Sequence, residues 1–381
     1  MNLRRILAVS SISVFAAAAL VAPSLAAGNP NCTATDGDYI VTFSKGAVVA
    51  NEVKNVNGKQ VAPKFIYSDA LNGFAARLTG DQVCNLKKRG NVEDIETDQI
   101  MSVEATTQAG ATWGLDRIDQ ISSPLSTTYN YSSTGSGVDA YVIDTGILGT
   151  HTEFTSRIKP GFSAIGSAAD TLDCNGHGTH VSGTIGGSIY GVAKAVSLVP
   201  VRVLDCAGSG STSGVIAGIN WAIANHQLGV KAVANMSLGG GASSALDSAV
   251  NNLINDGVIV VVAAGNSRQD ACKSSPARVP AAITVAASDV SDIFASFSNR
   301  GKCVDIIAPG VGITSDWIGS DTATNTISGT SMASPHVAGA VARALSVGRS
   351  ANNVLTEALT NKITQVPAGT PNKLLYILPS N

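Results

Sequence analysis

The chain has 381 residues, a formal net charge of −2 and only 14% charged residues, well under the quarter usual for soluble domains. That length holds one large domain with appendages, and the near-neutral balance gives no electrostatic reason for a nucleic-acid or anionic-membrane partner. With 39 glycines the composition points to a tightly packed, turn-rich soluble chain and away from a coiled coil.

Residues 1–26 read as a processing segment. Arg4 and Arg5 make a basic start, residues 6–22 an apolar core, and Ser24, Leu25 and Ala26 a small-x-small cleavage signal. A membrane anchor is the weaker reading, because the apolar run is short and ends at Pro23. Export implies an oxidising compartment, where the six cysteines (Cys32, Cys84, Cys174, Cys206, Cys272 and Cys303) are expected to form disulfides. None forms a CxxC pair, which argues against zinc.

Between Gly28 and Glu104 the spacing predicts a small α+β unit. Residues 39–43 alternate like a strand, 64–67 and 73–78 read as two more around a turn, and 92–100 as a closing strand. Thr79 is placed to cap a short helix running to Leu86. A unit of this size is marginal on its own, which leaves a separate binding module and a removable pro-segment both open.

From about Thr106 strand and helix signals alternate. Nearly continuous β-branched runs at 138–143, 197–203, 232–236, 258–263, 283–287 and 304–307 suit strands covered on both faces. Helical patterns fall at 180–186, 213–226, 245–255, 331–345 and near 351–359. The expected fold class is therefore α/β, a mostly parallel sheet with helices on both faces and right-handed crossovers, preceded by the small α+β unit. Ligands of such sheets bind at the carboxyl ends of the strands.

Two residues there carry suitable chemistry. Asp144 directly follows the run 138–143, with Thr145 and Gly146 as a turn; alone, its commoner role is to cap that turn. His177 stands in Asn175-Gly176-His177-Gly178-Thr179-His180, where flanking glycines allow other backbone to approach closely. His180, three residues on, suggests a metal pair, but no acidic residue occupies the HExxH position. Further along, residues 326–339 form a small-residue turn running into a helix. Pro335 is expected in the first turn of that helix, which puts Ser331 at its positive end; an ordinary cap is the bland alternative.

Aspartate, then histidine, then serine is the order found in subtilisin, whereas the lipase order starts from serine and the sequence around Ser331 lacks the second glycine of GxSxG. YVIDTGI at 141–147, GHGTHVSGT at 176–184 and ISGTSMASPHVAG at 327–339 resemble the signature blocks of the subtilisin-like serine proteases. Ser237-Leu238-Gly239-Gly240 and Ala263-Ala264-Gly265-Asn266 resemble that family's substrate-strand and oxyanion blocks. The likeness runs from about Trp113 to Leu378 and is nearest to the proteinase K branch, within it to aqualysin-type enzymes.

The resemblance implies a secreted serine endopeptidase with Ser331 as nucleophile, His177 as general base and acid, Asp144 orienting the imidazole, and Asn266 donating to the oxyanion. It implies that Gly208, Ser209 and Gly210 on one side and Ser237, Leu238 and Gly239 on the other hold a peptide as an added strand. A pocket beside Ala264 and Gly265 would accept a broad range of apolar or aromatic P1 residues. It also implies structural calcium. One site would use Asp116, Asp119, Gln120, Ser126 and Thr128; another would use the Asp305 side chain with the carbonyls of Pro280 and Ala282.

Four cysteines beyond the first unit allow three pairings; the resemblance selects Cys174–Cys206 and Cys272–Cys303, and whether Cys32 and Cys84 pair within the first unit stays open. Residues 27–105 would be the inhibitory propeptide, an intramolecular partner cut by Ser331 itself to leave a mature chain of 106–381. Protein or peptide substrates are the other expected partners, with no nucleic acid, no membrane after signal removal, and a monomeric state. A catalytically silent binding protein of the same fold and an esterase are the alternatives.

Overall fold

The computed structural model describes residues 32–98 and 105–378; the processing segment at 1–26 and the end of the expected strand 92–100 lie outside them. The chain divides into two compact units, one ending at Met101 and one beginning at Ser102.

In the first unit, four strands form an antiparallel sheet in the order Phe65–Tyr67, Gly73–Leu78, Gly37–Phe43, Val92–Thr97. Thr79 caps the helix Gly80–Leu86 as its sequence predicts. Its hydroxyl accepts from the Gln82 N–H while the Gln82 side chain accepts from the Thr79 N–H, a reciprocal capping box. Val41, Phe43, Phe74, Leu78, Val83 and Leu86 close a core between sheet and helix. The Cys32–Cys84 disulfide ties the start of the described chain to that helix.

The second unit is built on a nine-stranded sheet among the described residues. Its centre runs Ile306–Pro309, Ile283–Ser288, Ile259–Ala263, Lys231–Met236, Val138–Asp144 and Ser197–Arg202, all parallel. Strand alternation divides the apolar residues between two cores. Val138, Ala140, Val142, Val233 and Val261 point into one, shared with the helices His177–Gly186 and Thr330–Ser346. Tyr141, Ile143, Ala234, Val260 and Val262 point into the other, under Thr212–Asn225 and Ser244–Asn255. Both faces are covered, which is why the strands read as continuous apolar runs.

Some elements escaped the sequence reading. The hairpin Ile313–Asp316 with Thr324–Ile327, the pair Thr106–Ala109 with Thr128–Tyr131, and the short helix Trp113–Ile118 have too few residues to show a period. The helix expected from His180 begins at His177, so the histidine is its first residue. The helix Thr330–Ser346 contains Pro335 as its sixth residue, beyond the first turn where it was expected. At the other end of that helix Arg343 is buried and donates to the Tyr129 hydroxyl at 2.8 Å and to Ser133 Oγ at 3.2 Å. Among the described residues no helix is long and apolar enough to cross a membrane.

Candidate active site

Three turns at carboxyl ends of strands or amino ends of helices meet at the carboxyl end of the central strands. Asp144 is the last residue of its strand and is fully buried. His177 opens the neighbouring helix with its side chain 23% exposed. The two turns can touch because Gly178 lies against the Gly146 carbonyl so closely that a side chain there would collide with it. The His177 Nδ1–H thus donates to Asp144 Oδ1 at 2.7 Å, which leaves Nε2 free to accept a proton. The same carboxylate oxygen accepts from the Thr145 N–H at 2.7 Å. Burial works against the His177 imidazolium, but the charge and hydrogen bond of Asp144, with Asp173 behind it, outweigh burial and hold its pKa above the usual imidazole value.

Asp173 is a site residue the sequence reading missed. Its Oδ1 accepts from the N–H groups of Asn175 and Gly176 and from the Thr145 hydroxyl, and its Oδ2 from the Thr179 N–H and hydroxyl. Through Thr145, whose Oγ1 also accepts from the Gly178 N–H, it fixes the aspartate turn against the histidine turn. The only available signal was an Asp two residues before a glycine-rich turn, a common Asx-turn pattern.

His180 does not join this group. Its Nε2 donates to the Ile313 carbonyl at 3.0 Å, and burial pulls its pKa down to about 4. It is a neutral core histidine beneath the hairpin.

Ser331 is the second residue of its helix, where its own N–H has no intrahelical acceptor. Its hydroxyl donates to the Ser237 carbonyl at 3.1 Å instead of to His177; such bonds commonly form only once substrate is in place. Asn266 sits across the cleft with its amide orientation set by two donors. Oδ1 accepts from the Thr330 N–H and the Thr330 hydroxyl, both at 2.9 Å. That turns Nδ2 away from Thr330 and leaves it as the donor end. Thr330 was another residue unmarked in the sequence; its hydroxyl also accepts from the Gly265 N–H at 3.1 Å. Gly265 has φ +102 and packs against Asn299, so this loop tolerates no side chain there. Asn299 in turn donates to the Ala264 carbonyl and accepts from the Ser267 and Gln269 N–H groups.

A cleft of about 800 Å³ is lined by His177, Ser331 and Asn266, by Gly208, Ser209 and Gly210 on one wall, and by Ser237, Leu238 and Gly239 on another. Ala264 and Gly265 border it as well. The 208–210 stretch and Gly239 are exposed. Asp205 shapes the first wall by accepting from the Ala207 and Ser209 N–H groups. The disulfide Cys174–Cys206 joins this wall to the His177 turn, and Cys272–Cys303 lies beyond the Asn266 loop.

The residues expected to hold calcium fall in two places. Asp116, Asp119 and Gln120 face the 126–130 segment. Asp116 accepts from the Ser126 hydroxyl and from the Ser126 and Thr127 N–H groups; Gln120 Oε1 accepts from the Ser126 N–H. The Ser126 and Thr128 hydroxyls are 2.8 Å apart. Asp119 Oδ2 accepts from Asn130, but its buried Oδ1 has no partner, and burial with the Asp116 charge pushes its pKa up. An orphaned carboxylate oxygen among amide and hydroxyl oxygens fits an oxygen-seeking cation. Among the described residues no three His, Cys, Asp or Glu side chains gather for a metal, so amide, hydroxyl and carbonyl oxygens would have to complete the set. Asp305 accepts from the Thr284 N–H at 2.8 Å, just past the turn holding Pro280 and Ala282, and burial raises its pKa.

Comparison with known proteins identifies the relatives of both units. Residues 135–374 match the subtilase family (Peptidase S8) and residues 38–104 the peptidase inhibitor I9 family. An extracellular serine proteinase of a Thermus species is 56% identical over 318 residues, covering 82% of this chain and 77% of its own length. Alkaline serine exoprotease A of Vibrio alginolyticus is 46% identical over 372 residues, covering 92% and 69%. Among solved structures, a cold adapted subtilisin-like serine proteinase is 53% identical with a TM-score of 0.68, over 71% of this chain and 99% of that one.

Proposed function

The chain belongs to the subtilase family, and from that premise we infer that it is a secreted serine endopeptidase whose nucleophile is Ser331. The observation that carries the residue assignment is the cleft itself. It gathers a helix-terminal serine, an imidazole oriented at 2.7 Å by a buried carboxylate, and an amide whose oxygen is already engaged.

The chemistry follows from those positions. His177 Nε2 takes the Ser331 proton as Oγ bonds to the peptide carbonyl carbon. The resulting oxyanion accepts from Asn266 Nδ2 and the Ser331 N–H. When the C–N bond breaks, His177 returns the proton to the leaving amine; water then repeats the sequence on the acyl-enzyme. Asp144 keeps Nδ1 protonated throughout and stabilises the imidazolium. Replacing Asn266 by Ala should lower kcat about a hundred- to a thousand-fold with little change in KM, a magnitude carried over from subtilisin; steady-state kinetics on a chromogenic peptide would show it.

The glycine-rich walls at 208–210 and 237–239 offer main-chain groups to an extended peptide, which reads no side chains. Specificity then falls on the space beside Ala264 and Gly265, whose small walls suit apolar or aromatic P1 residues. The first unit is the I9 inhibitor segment of the precursor, and we assign its removal to Ser331, with the mature chain starting near Thr106. Domain limits of 1–26, 27–105 and 106–381 accord with that reading.

Calcium is assigned to two places, around Asp119 and at Asp305, where it would act by holding loops together. A ligand present at a hundred times its Kd adds about 2.7 kcal/mol to the folded state. Chelation of the mature enzyme should therefore lower Tm by about 5–10 °C, with Asp119→Asn removing part of that difference. Calorimetry in which chelator leaves Tm unmoved would end the assignment.

The deciding experiment is labelling with a serine-directed fluorophosphonate. One equivalent should attach to the peptide containing Ser331 while casein is hydrolysed and triglyceride is not. An unlabelled protein would favour a silent binding protein, and triglyceride turnover an esterase.

A further inference from the structure

The helix that carries Ser331 has a gap in its hydrogen bonding. An α-helical N–H donates to the carbonyl four residues earlier, so residue 335 should serve the Ser331 carbonyl. Residue 335 is proline and has no N–H. A half-buried carbonyl at the proposed nucleophile left without a donor would be poorly placed.

The missing donor comes from another element. The Ser237 hydroxyl donates to the Ser331 carbonyl at 2.8 Å. Ser237 follows the strand Lys231–Met236 and belongs to the wall expected to hold substrate. Its hydroxyl is itself oriented, because Asn235 Nδ2 donates to it at 2.9 Å. Asn235 Oδ1 then accepts from the Ser334 hydroxyl at 2.6 Å, which returns the chain of bonds to the helix one residue before Pro335. Asn235, Ser237 and Ser334 are 1%, 3% and 0% exposed. The ring closes once more where the Ser331 hydroxyl donates to the Ser237 carbonyl.

We propose that the Ser237 side chain, oriented by Asn235 and Ser334, is a positioning residue that sets the nucleophile in register with the substrate-holding wall by supplying the donor Pro335 lacks. Both parts of the reacting geometry then share one hydroxyl. A shift of the wall moves the Ser331 carbonyl with it, and the serine keeps its distance from a peptide laid along residues 237–239. This rests on Ser331 being the nucleophile. It adds a role for the Ser237 hydroxyl, which is engaged with the Ser331 carbonyl, beside that of the wall's main chain.

Two properties make the idea testable. Removing the hydroxyl by Ser237→Ala leaves the main chain of the wall intact, so KM should stay within about twofold while kcat falls about tenfold, the effect of one lost hydrogen bond expressed in the transition state. Restoring an N–H at residue 335 should make the hydroxyl redundant. In a Pro335→Ala background, Ser237→Ala should therefore cost less than about threefold in kcat, a non-additive cycle that a merely structural loss does not produce. Ser237→Cys, with a weaker donor of similar shape, should lose an intermediate amount and serves if Ser237→Ala does not mature.

Equal kcat losses in the two backgrounds would overturn the proposal. So would a Ser237→Ala or Ser237→Cys enzyme that keeps full kcat while its Tm falls. Fluorophosphonate titration separates the layers. Full labelling of a slow Ser237→Ala enzyme supports positioning, whereas failure to label the parent enzyme at Ser331 would remove the nucleophile assignment and this inference together.

Discussion

Ser331→Ala is expected to yield a folded precursor that stays one chain and cleaves nothing. Losing the nucleophile of such a triad costs about a million-fold in kcat, a figure carried over from subtilisin. The remaining acceleration, due to the oxyanion donors and binding alone, is too small to complete precursor cleavage on the timescale of expression. The readout is the intact precursor on a denaturing gel, with its mass confirming an uncut junction near Thr106. Adding a trace of mature parent enzyme should then cut it in trans, showing that the junction is accessible and only the chemistry is missing. Normal maturation of the isolated Ser331→Ala chain would mean that another protease processes it, and the self-cutting reading would fall.

The second large effect belongs to Asp144→Asn. The amide can present either its oxygen or its NH2 to His177 Nδ1, and the NH2 orientation stabilises the tautomer that protonates Nε2 and cannot accept from Ser331. The expected loss is about ten-thousand-fold in kcat, as found for the same triad on an unrelated fold. The pH profile carries a second, independent signature. His177 must be neutral to act as base, and Asp144 is what lifts its pKa above the usual value of about 6.5. In the parent enzyme kcat/KM should therefore fall as pH drops through a value above 6.5. In Asp144→Asn that acid limb should move downward, because the charge holding the proton is gone while burial still opposes the imidazolium. A limb that stays in place would show that a different group titrates.

The sequence was informative where chemistry demands a residue type at a fixed offset, and silent where a bond links distant elements. Asp144 and His177 stood out because each follows or opens an apolar element inside a glycine-bracketed turn, and the glycines proved to be where two backbones touch. The central strands were visible because burial on both faces leaves unbroken β-branched runs. Asp173, Thr330 and Asn299 carried no such mark. Each acts through hydrogen bonds to main-chain groups in other turns, and a lone Asp, Thr or Asn near a glycine is commonplace. Pro335 shows the same limit from the other side. The sequence places its ring in a first helical turn, yet it is the sixth residue of the helix, where a serine just past a separate strand provides the donor it removed.

The helix from Thr330 to Ser346 also has a mechanical side. From Ser331 to Arg343 is twelve residues, about 18 Å of stiff rod, with the proposed nucleophile at one tip and a guanidinium clamped to Tyr129 and Ser133 near the other. Tyr129 adjoins Asn130, whose main chain and side chain both hold Asp119. A swing of about three degrees about that clamp carries the reactive tip about 1 Å, a misplacement of the size that costs about a hundred-fold in rate. Heat or substitutions that loosen the remote end would thus register as lost turnover before the protein unfolds.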